Sequence, residues 1–174
     1  YKELINGLQE QHHAIIKELL PMEKQDDSLE ACDSLFASLR SITQGVCLLG
    51  ELSPASLDAI LSFGELWSTK ILATKLASIG IATKWIDSRQ IIRTFAKGEK
   101  NIVDIQKTYS KVNEMVENNP ITQLFVLPGF IASDKQGRTT TLGRGGSDYT
   151  ASLLAVGCKA RILEIWTDVP GMMT

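Results

Sequence analysis

Cysteine is scarce in this sequence. Cys32, Cys47 and Cys158 are the three among 174 residues, an odd number without the paired short spacing of a zinc ribbon or a disulfide framework. They are expected to be small buried apolar residues in a reducing compartment, which points to a cytoplasmic protein. No apolar run approaches the ~20 residues that a bilayer-crossing helix needs, and no signal-peptide pattern opens the chain. An excess of one charge is lacking too. Eighteen Lys+Arg against twenty Asp+Glu leave a net charge of −2, too even for broad attraction to nucleic acid or an anionic membrane. Secreted disulfide scaffolds, zinc ribbons and membrane spans are thereby excluded. What is there, 44% hydrophobic and 22% charged residues, is the balance of one globular domain.

The first half reads as helix. Leu4, Ile5, Leu8, Ile15, Ile16, Leu19 and Leu20 recur at helical spacing until Pro21 stops the pattern. Asp26 or Asp27 is the expected cap of a second helix through Leu29, Phe36, Leu39, Ile42 and Val46. Ser53-Pro54 opens a third, whose wide apolar stripe runs from Leu57 to Ile79 before Gly80. The pattern then changes. Ile81 to Ile86 predicts a strand and Ile102 to Val116 a helix. Leu124 to Leu127 predicts a strand buried on both faces. Asp134 to Gly137 is a turn, Thr139 to Thr141 is extended, and Gly143 to Gly146 is a loop. Ser147 or Asp148 is expected to cap a helix closed by Gly157, and Ile162 to Trp166 is expected to be a last strand. Helices followed by alternating strands and helices predict an α/β fold with a mainly parallel sheet and a helical N-terminal part. Both ends lie close to structured segments, so the chain is expected to be a piece of a longer protein.

Gly143-Arg144-Gly145-Gly146-Ser147-Asp148 is the most informative segment. Three glycines allow positive φ and bare backbone, and free N–H groups running into a helix form an anion cradle. Arg144 offers a planar fork for a carboxylate or phosphate, and Asp148 could hold an ammonium group. Together they suit the two ends of an α-amino acid. Such a loop read alone is equally a surface turn with a capping Asp. It is neither a dinucleotide fingerprint, which needs glycine where Asp148 stands, nor a Walker A loop. Thr167 and Asp168 follow the expected last strand, where ligands collect in open α/β sheets, although Asp is also a common turn former. Glu65 sits on the margin of the third helix's apolar stripe and reads as a boundary residue. The neighbouring His12 and His13 diverge on a helix and do not suggest a metal site. Trp67, Trp85 and Trp166 are expected in the core.

Taken together, Thr140 to Ala151 (TTLGRGGSDYTA) resembles the long aspartokinase motif, and Glu164 to Gly171 (EIWTDVPG) resembles that family's nucleotide-site strand and turn. Pro128 to Ile131 and Phe63 to Ser68 are similar to family segments in the same order, so the resemblance spans Gly50 to Thr174. It implies an amino acid kinase fold, a three-layer α/β/α sandwich, and transfer of the ATP γ-phosphoryl to the side-chain carboxylate of L-aspartate with magnesium. That reaction feeds lysine, threonine and methionine synthesis. It further implies that Arg144 clamps the α-carboxylate, that Asp148 and Glu65 hold the α-ammonium, and that Ser147 adds a polar contact. Gly143, Gly145 and Gly146 would supply loop backbone, Thr167 and Asp168 would line the ATP site, and no protein ligand to the metal is implied.

The chain also departs from the family. It has no counterpart of the opening Lys-x-Gly-Gly-Thr-Ser strand, nor of the acidic-Pro-Arg element, the later nucleotide lysine and the regulatory domains. Residues 1–174 are therefore expected to form a partial amino acid kinase domain, with weak aspartate binding and no turnover on its own, from a parent that assembles as a homo-oligomer through other regions. Leu48 to Pro54 is closer to kinases fused to homoserine dehydrogenase than to stand-alone ones. The rival readings are a kinase of another acidic amino acid in the same superfamily and a non-catalytic amino-acid-binding regulatory module. The Arg144/Asp148 pair favours a free α-amino acid, because an acylated amine has no use for Asp148.

Overall fold

A computed structural model of the chain describes residues 1–98 and 100–166. Three long helices come first. α1 (Lys2–Leu19) ends just before Pro21, and α2 (Met22–Leu49) begins directly after it. Pro21 itself is the cap residue, with φ −65° and ψ 152°. The proline ring presets the entrance angle, so Asp26 and Asp27, expected as caps, lie inside the helix. Gly50 closes α2 at φ 66°. α3 (Pro54–Ser78) starts as expected, with Ser53 Oγ accepting a bond from Ser56 N–H at 3.1 Å.

These helices pack sequentially around Ile5, Ile16, Leu20, Cys32, Phe36, Leu39, Phe63 and Trp67. Phe36 and Trp67 stack with ring centroids 4.0 Å apart, and His12 leans on Trp67 at 4.9 Å. His12 Nδ1 donates to Leu8 O at 2.7 Å, and His13 Nε2 pairs with Asp33 at 2.7 Å. The two imidazoles are thus engaged in packing and in a surface hydrogen bond. No group of three metal-ligating side chains occurs among the described residues, nor any helix long and apolar enough to cross a membrane.

The rest alternates strand and helix. β1 (Thr83–Trp85) is followed by α4 (Ser88–Ile91), β2 (Thr94–Lys97), β3 (Lys100–Val103) and α5 (Ile105–Glu117). Then come β4 (Leu124–Val126), β5 (Ile131–Ser133), β6 (Thr139–Thr141) and α6 (Gly146–Gly157). β1 pairs with β4 in parallel, Thr83 opposite Leu124. β2/β3 and β5/β6 are antiparallel, and Arg93 bridges Ser133 in parallel. A second core of Ile91, Ile92, Val103, Val112, Met115, Ala132 and Leu153 lies between these strands and α5/α6.

Several expectations are corrected. Ile102 and Val103 are strand rather than helix, because they pair with Phe95 and Thr94; the helix starts after Asp104, whose carboxylate accepts from Lys107 N–H at 3.2 Å. Leu124 is 37% exposed, so β4 reaches the surface at one end instead of being buried on both faces. Residues 162–166 are irregular: a strand needs a ladder partner, and none pairs with them among the described residues. Trp166 is 90% exposed there, whereas Trp67 is in the core and Trp85 is half-buried. Cys32 is buried, but Cys47 and Cys158 are exposed. α2 has 28 residues against 18 in α1, so its last turn, with Cys47, outruns its neighbour; Cys158 sits at the open end of α6.

α3 joins the two halves. Phe63 and Trp67 face the helical core, while Asp58, Ser62, Glu65, Leu66, Thr69 and Ala73 recur along a second face. α3 packs on β1, β4 and β6.

Candidate active site

β6 leads into the glycine loop. Gly143 (φ 72°) and Gly145 (φ 73°) take left-handed backbone that a side chain would strain. Gly145, not Ser147 or Asp148, is the cap residue of α6, and no side chain caps the helix. The left-handed glycine turns the chain into the helix by itself, so Ser147 and Asp148 fall within the first turn. Gly146 N–H bonds to Gly143 O, but the N–H groups of Ser147 and Asp148 find no acceptor among the described residues. Two donors and the positive end of a helix dipole therefore remain open to an anion. Arg144, Ser147 and Asp148 are all exposed at this end, and neither Arg144 nor Asp148 makes an ion pair among the described residues.

A second turn, at the carboxyl end of β4, braces the loop. Phe130 has φ 68°, a conformation that costs a non-glycine residue about 1–3 kcal/mol and persists only where its surroundings fix it. Here they do. Phe130 N–H donates to Thr150 Oγ1 at 3.1 Å, and that hydroxyl donates to Gly146 O at 2.8 Å. Leu142 N–H donates to Phe130 O at 2.8 Å, and Ser88 Oγ donates to Pro128 O. The backbones touch: a Cβ on Gly129 would lie 3.0 Å from Ser147, and one on Gly146 would lie 2.9 Å from the Phe130 ring. Sequence reasoning marked Pro128–Ile131 only as a similar segment and did not single out Phe130. No local rule predicts a left-handed phenylalanine, and of the two glycines in the contact only Gly146 lay in the loop marked for bare backbone.

Glu65 enters from α3. Thr141 Oγ1, two residues before Gly143, donates to Asp58 Oδ1 at 2.7 Å. Trp85 Nε1 donates to Thr69 Oγ1 at 3.0 Å, and that hydroxyl donates to Glu65 O at 2.6 Å. Glu65 lies between these two anchors on the same helix face. Its carboxylate is half-buried without a hydrogen-bond partner among the described residues, and burial pushes its pKa above the ordinary 4.5. A half-buried carboxylate of this kind fits a boundary residue at the edge of the helix's apolar stripe and equally has room for a cationic partner.

The structure thus gathers Arg144, Ser147 and Asp148 at the amino end of α6. It sets Glu65 on the helix that holds the strand feeding their loop. Thr167 and Asp168 lie outside the described residues.

Comparison with known proteins places the chain by sequence and by fold. The lysine-sensitive aspartokinase 3 of Escherichia coli (strain K12) is 42% identical over 127 residues, which cover 70% of this chain and 27% of that protein. The chloroplastic bifunctional aspartokinase/homoserine dehydrogenase 2 of Arabidopsis thaliana is 27% identical over 173 residues, 99% of this chain and 19% of that protein. The crystal structure of E. coli aspartokinase III with aspartate and ADP superposes with a TM-score of 0.84 at 32% identity, over 97% of this chain and 37% of that one. The same enzyme with lysine and aspartate gives 0.86 over 98% and 37%. The chain therefore spans 19–37% of the length of these relatives. Its fold is aspartokinase-like, of the α/β class that the alternating elements predicted and of the kind that the motif resemblance implied. With the sequence model of the amino acid kinase family matching residues 3–174, the chain belongs to that family.

Proposed function

We propose that this chain is part of an aspartate kinase and forms its aspartate-binding side. The observation that carries this reading is the exposed Arg144/Asp148 pair on an uncapped helix N-terminus, facing no partner of its own among the described residues. Arg144 receives the α-carboxylate as a fork, helped by the open N–H groups of α6. Asp148 and Glu65 hold the α-ammonium, and Ser147 adds a hydrogen bond. With both ends of the zwitterion fixed, the remaining carboxylate is directed at ATP. Support also comes from the solved relatives, whose structures hold aspartate with ADP or lysine.

The reaction is a displacement at phosphorus. A side-chain carboxylate oxygen of aspartate bonds to the γ-phosphorus, the bond from that phosphorus to the β,γ-bridging oxygen breaks, and 4-phospho-L-aspartate and ADP result. Such a step needs positioning and charge stabilisation more than covalent help. Magnesium bound with the triphosphate would supply charge neutralisation there, and no described residue is assigned to hold it. Thr167 and Asp168 are assigned to the nucleotide on sequence resemblance. The 174 residues alone, which lack a counterpart of the family's phosphate-side lysine strand, bind aspartate weakly and do not turn over.

The test is Arg144→Ala in the full-length protein, assayed by coupled ADP release. Loss of a charged hydrogen-bonded contact worth about 2–3 kcal/mol lowers kcat/KM by about 30- to 150-fold. A change within a factor of about three, below ~1 kcal/mol, overturns the role of Arg144. N-acetyl-aspartate, whose amine is neutral, should be a poor substrate if Asp148 and Glu65 act as described.

A further inference from the structure

The three long helices do not close completely on one another. Between them lies a cavity of about 330 Å³, inside the range of about 300–1,000 Å³ that small-molecule sites occupy. One face of α2 and one face of α3 line it. The floor is apolar and includes Ile16, Cys32 and Trp67 from the helical core. The mouth carries Lys24 and Asp27 from α2 and Lys70 from α3. None of these three charges makes an ion pair among the described residues, although Lys70 also lies over the Trp85 ring at 5.6 Å. The indole N–H of Trp67 is buried without an acceptor among the described residues.

An apolar floor under two cations and one anion is selective. A neutral hydrocarbon would leave the charges idle, and a simple anion would meet Asp27. A dianion would lack apolar surface to bury. A small zwitterion with an apolar or aromatic tail satisfies all of it: carboxylate toward Lys24 and Lys70, ammonium toward Asp27, tail over Trp67.

We propose that the cavity between α1, α2 and α3 is a binding site for a small amphipathic zwitterion of the apolar α-amino acid class, separate from the aspartate site. The floor belongs to α3's Trp67 face, opposite the face that carries Glu65. The proposal does not rest on the kinase reading, because it is tested by binding without ATP or turnover.

The experiment uses the full-length protein with isoleucine-methyl labelling, titrated with L-phenylalanine and with 3-phenylpropionate, which keeps the ring and carboxylate but lacks the amine. L-Phenylalanine is expected to shift the Ile16 and Ile71 methyl resonances saturably, and 3-phenylpropionate to bind about tenfold more weakly. Asp27→Asn, at an exposed position, should erase that difference, and Ala31→Phe should fill the cavity and abolish both. No saturable shift up to about 10 mM overturns the proposal, including where another segment of the protein occupies the cavity. Shifts that survive Ala31→Phe overturn it too, as does equal affinity for the two probes in the unmodified protein. Should Ala31→Phe fail to fold, Lys70→Met takes its place: a drop of about tenfold in both affinities supports the site and unchanged affinities overturn it.

Discussion

Gly146 and Phe130 meet so closely that a Cβ on the glycine would stand 2.9 Å from Cδ2 of the ring and 3.2 Å from the Phe130 Cα. The amino end of α6 and the turn after β4 are therefore one interlocked unit. Gly146→Ala should displace the turn and cost about 1–3 kcal/mol as an overpacked contact, and also raise KM for aspartate. Gly157→Ala is the control. Its Cβ would lie 2.8 Å from Val112 Cβ, at the far end of α6, so stability should fall by a similar amount while KM holds. Chemical denaturation and initial-rate kinetics on the two variants separate packing from site geometry.

Glu65 gives a pH signature. Its folded pKa is raised above the ordinary 4.5 by burial. A raised value means that its contribution to stability is complete below pH 4.5 and is lost as pH rises through the folded value. Glu65→Gln should flatten that loss in urea titrations across this window. A ligand ammonium reverses the balance by favouring the carboxylate, so aspartate binding in the same window should release a proton. Calorimetry in two buffers of different ionisation enthalpy measures it, and Glu65→Gln should abolish the difference.

Asp58 and Thr141 tie α3 to the strand that enters the glycine loop, at 2.7 Å. Thr141→Val should cost about 1 kcal/mol, and a double-mutant cycle with Asp58→Ala should return a coupling of about 0.5–1.5 kcal/mol. Because the bond positions the loop without touching substrate, KM for aspartate should rise more than kcat falls.

The thiols should differ in reactivity. Cys32 is buried, and burial together with the Asp33 charge pushes its pKa to about 11. Cys158 is exposed, with a pKa raised by partial burial, and Cys47 is exposed at the end of α2. Alkylation of the native protein at pH 8 should label Cys47 first, Cys158 next and Cys32 last, as peptide mass spectrometry reads it.

Local chemistry was legible in the sequence where one or two residues decide. Ser53-Pro54 started α3 because a hydroxyl cap and a preset φ need nothing from afar, and the left-handed turn at Gly143 and Gly145 was legible because glycine alone takes it without strain. Non-local pairing was not legible. Ile102 and Val103 carry an apolar pattern that continues into α5, and only Thr94 and Phe95 across a hairpin make them strand. Asp26 and Asp27 looked like caps because Pro21 read as a stop, whereas it is also a start. Glu65 could be placed on a helix margin, but how far it is buried was not legible, because the strands that α3 packs on, anchored at Asp58 by Thr141 and at Thr69 by Trp85, come from distant parts of the chain.

The double-faced packing of α3 has a consequence for how this molecule comes apart. A helix packed into the helical core on one face and onto β1, β4 and β6 on another cannot be shed with either alone, so melting the helical layer uncovers β1 and β6 in the same event. Cooperativity is thereby built across the two halves, and amide protons in the middle of α3 should exchange only through the largest opening that the chain undergoes.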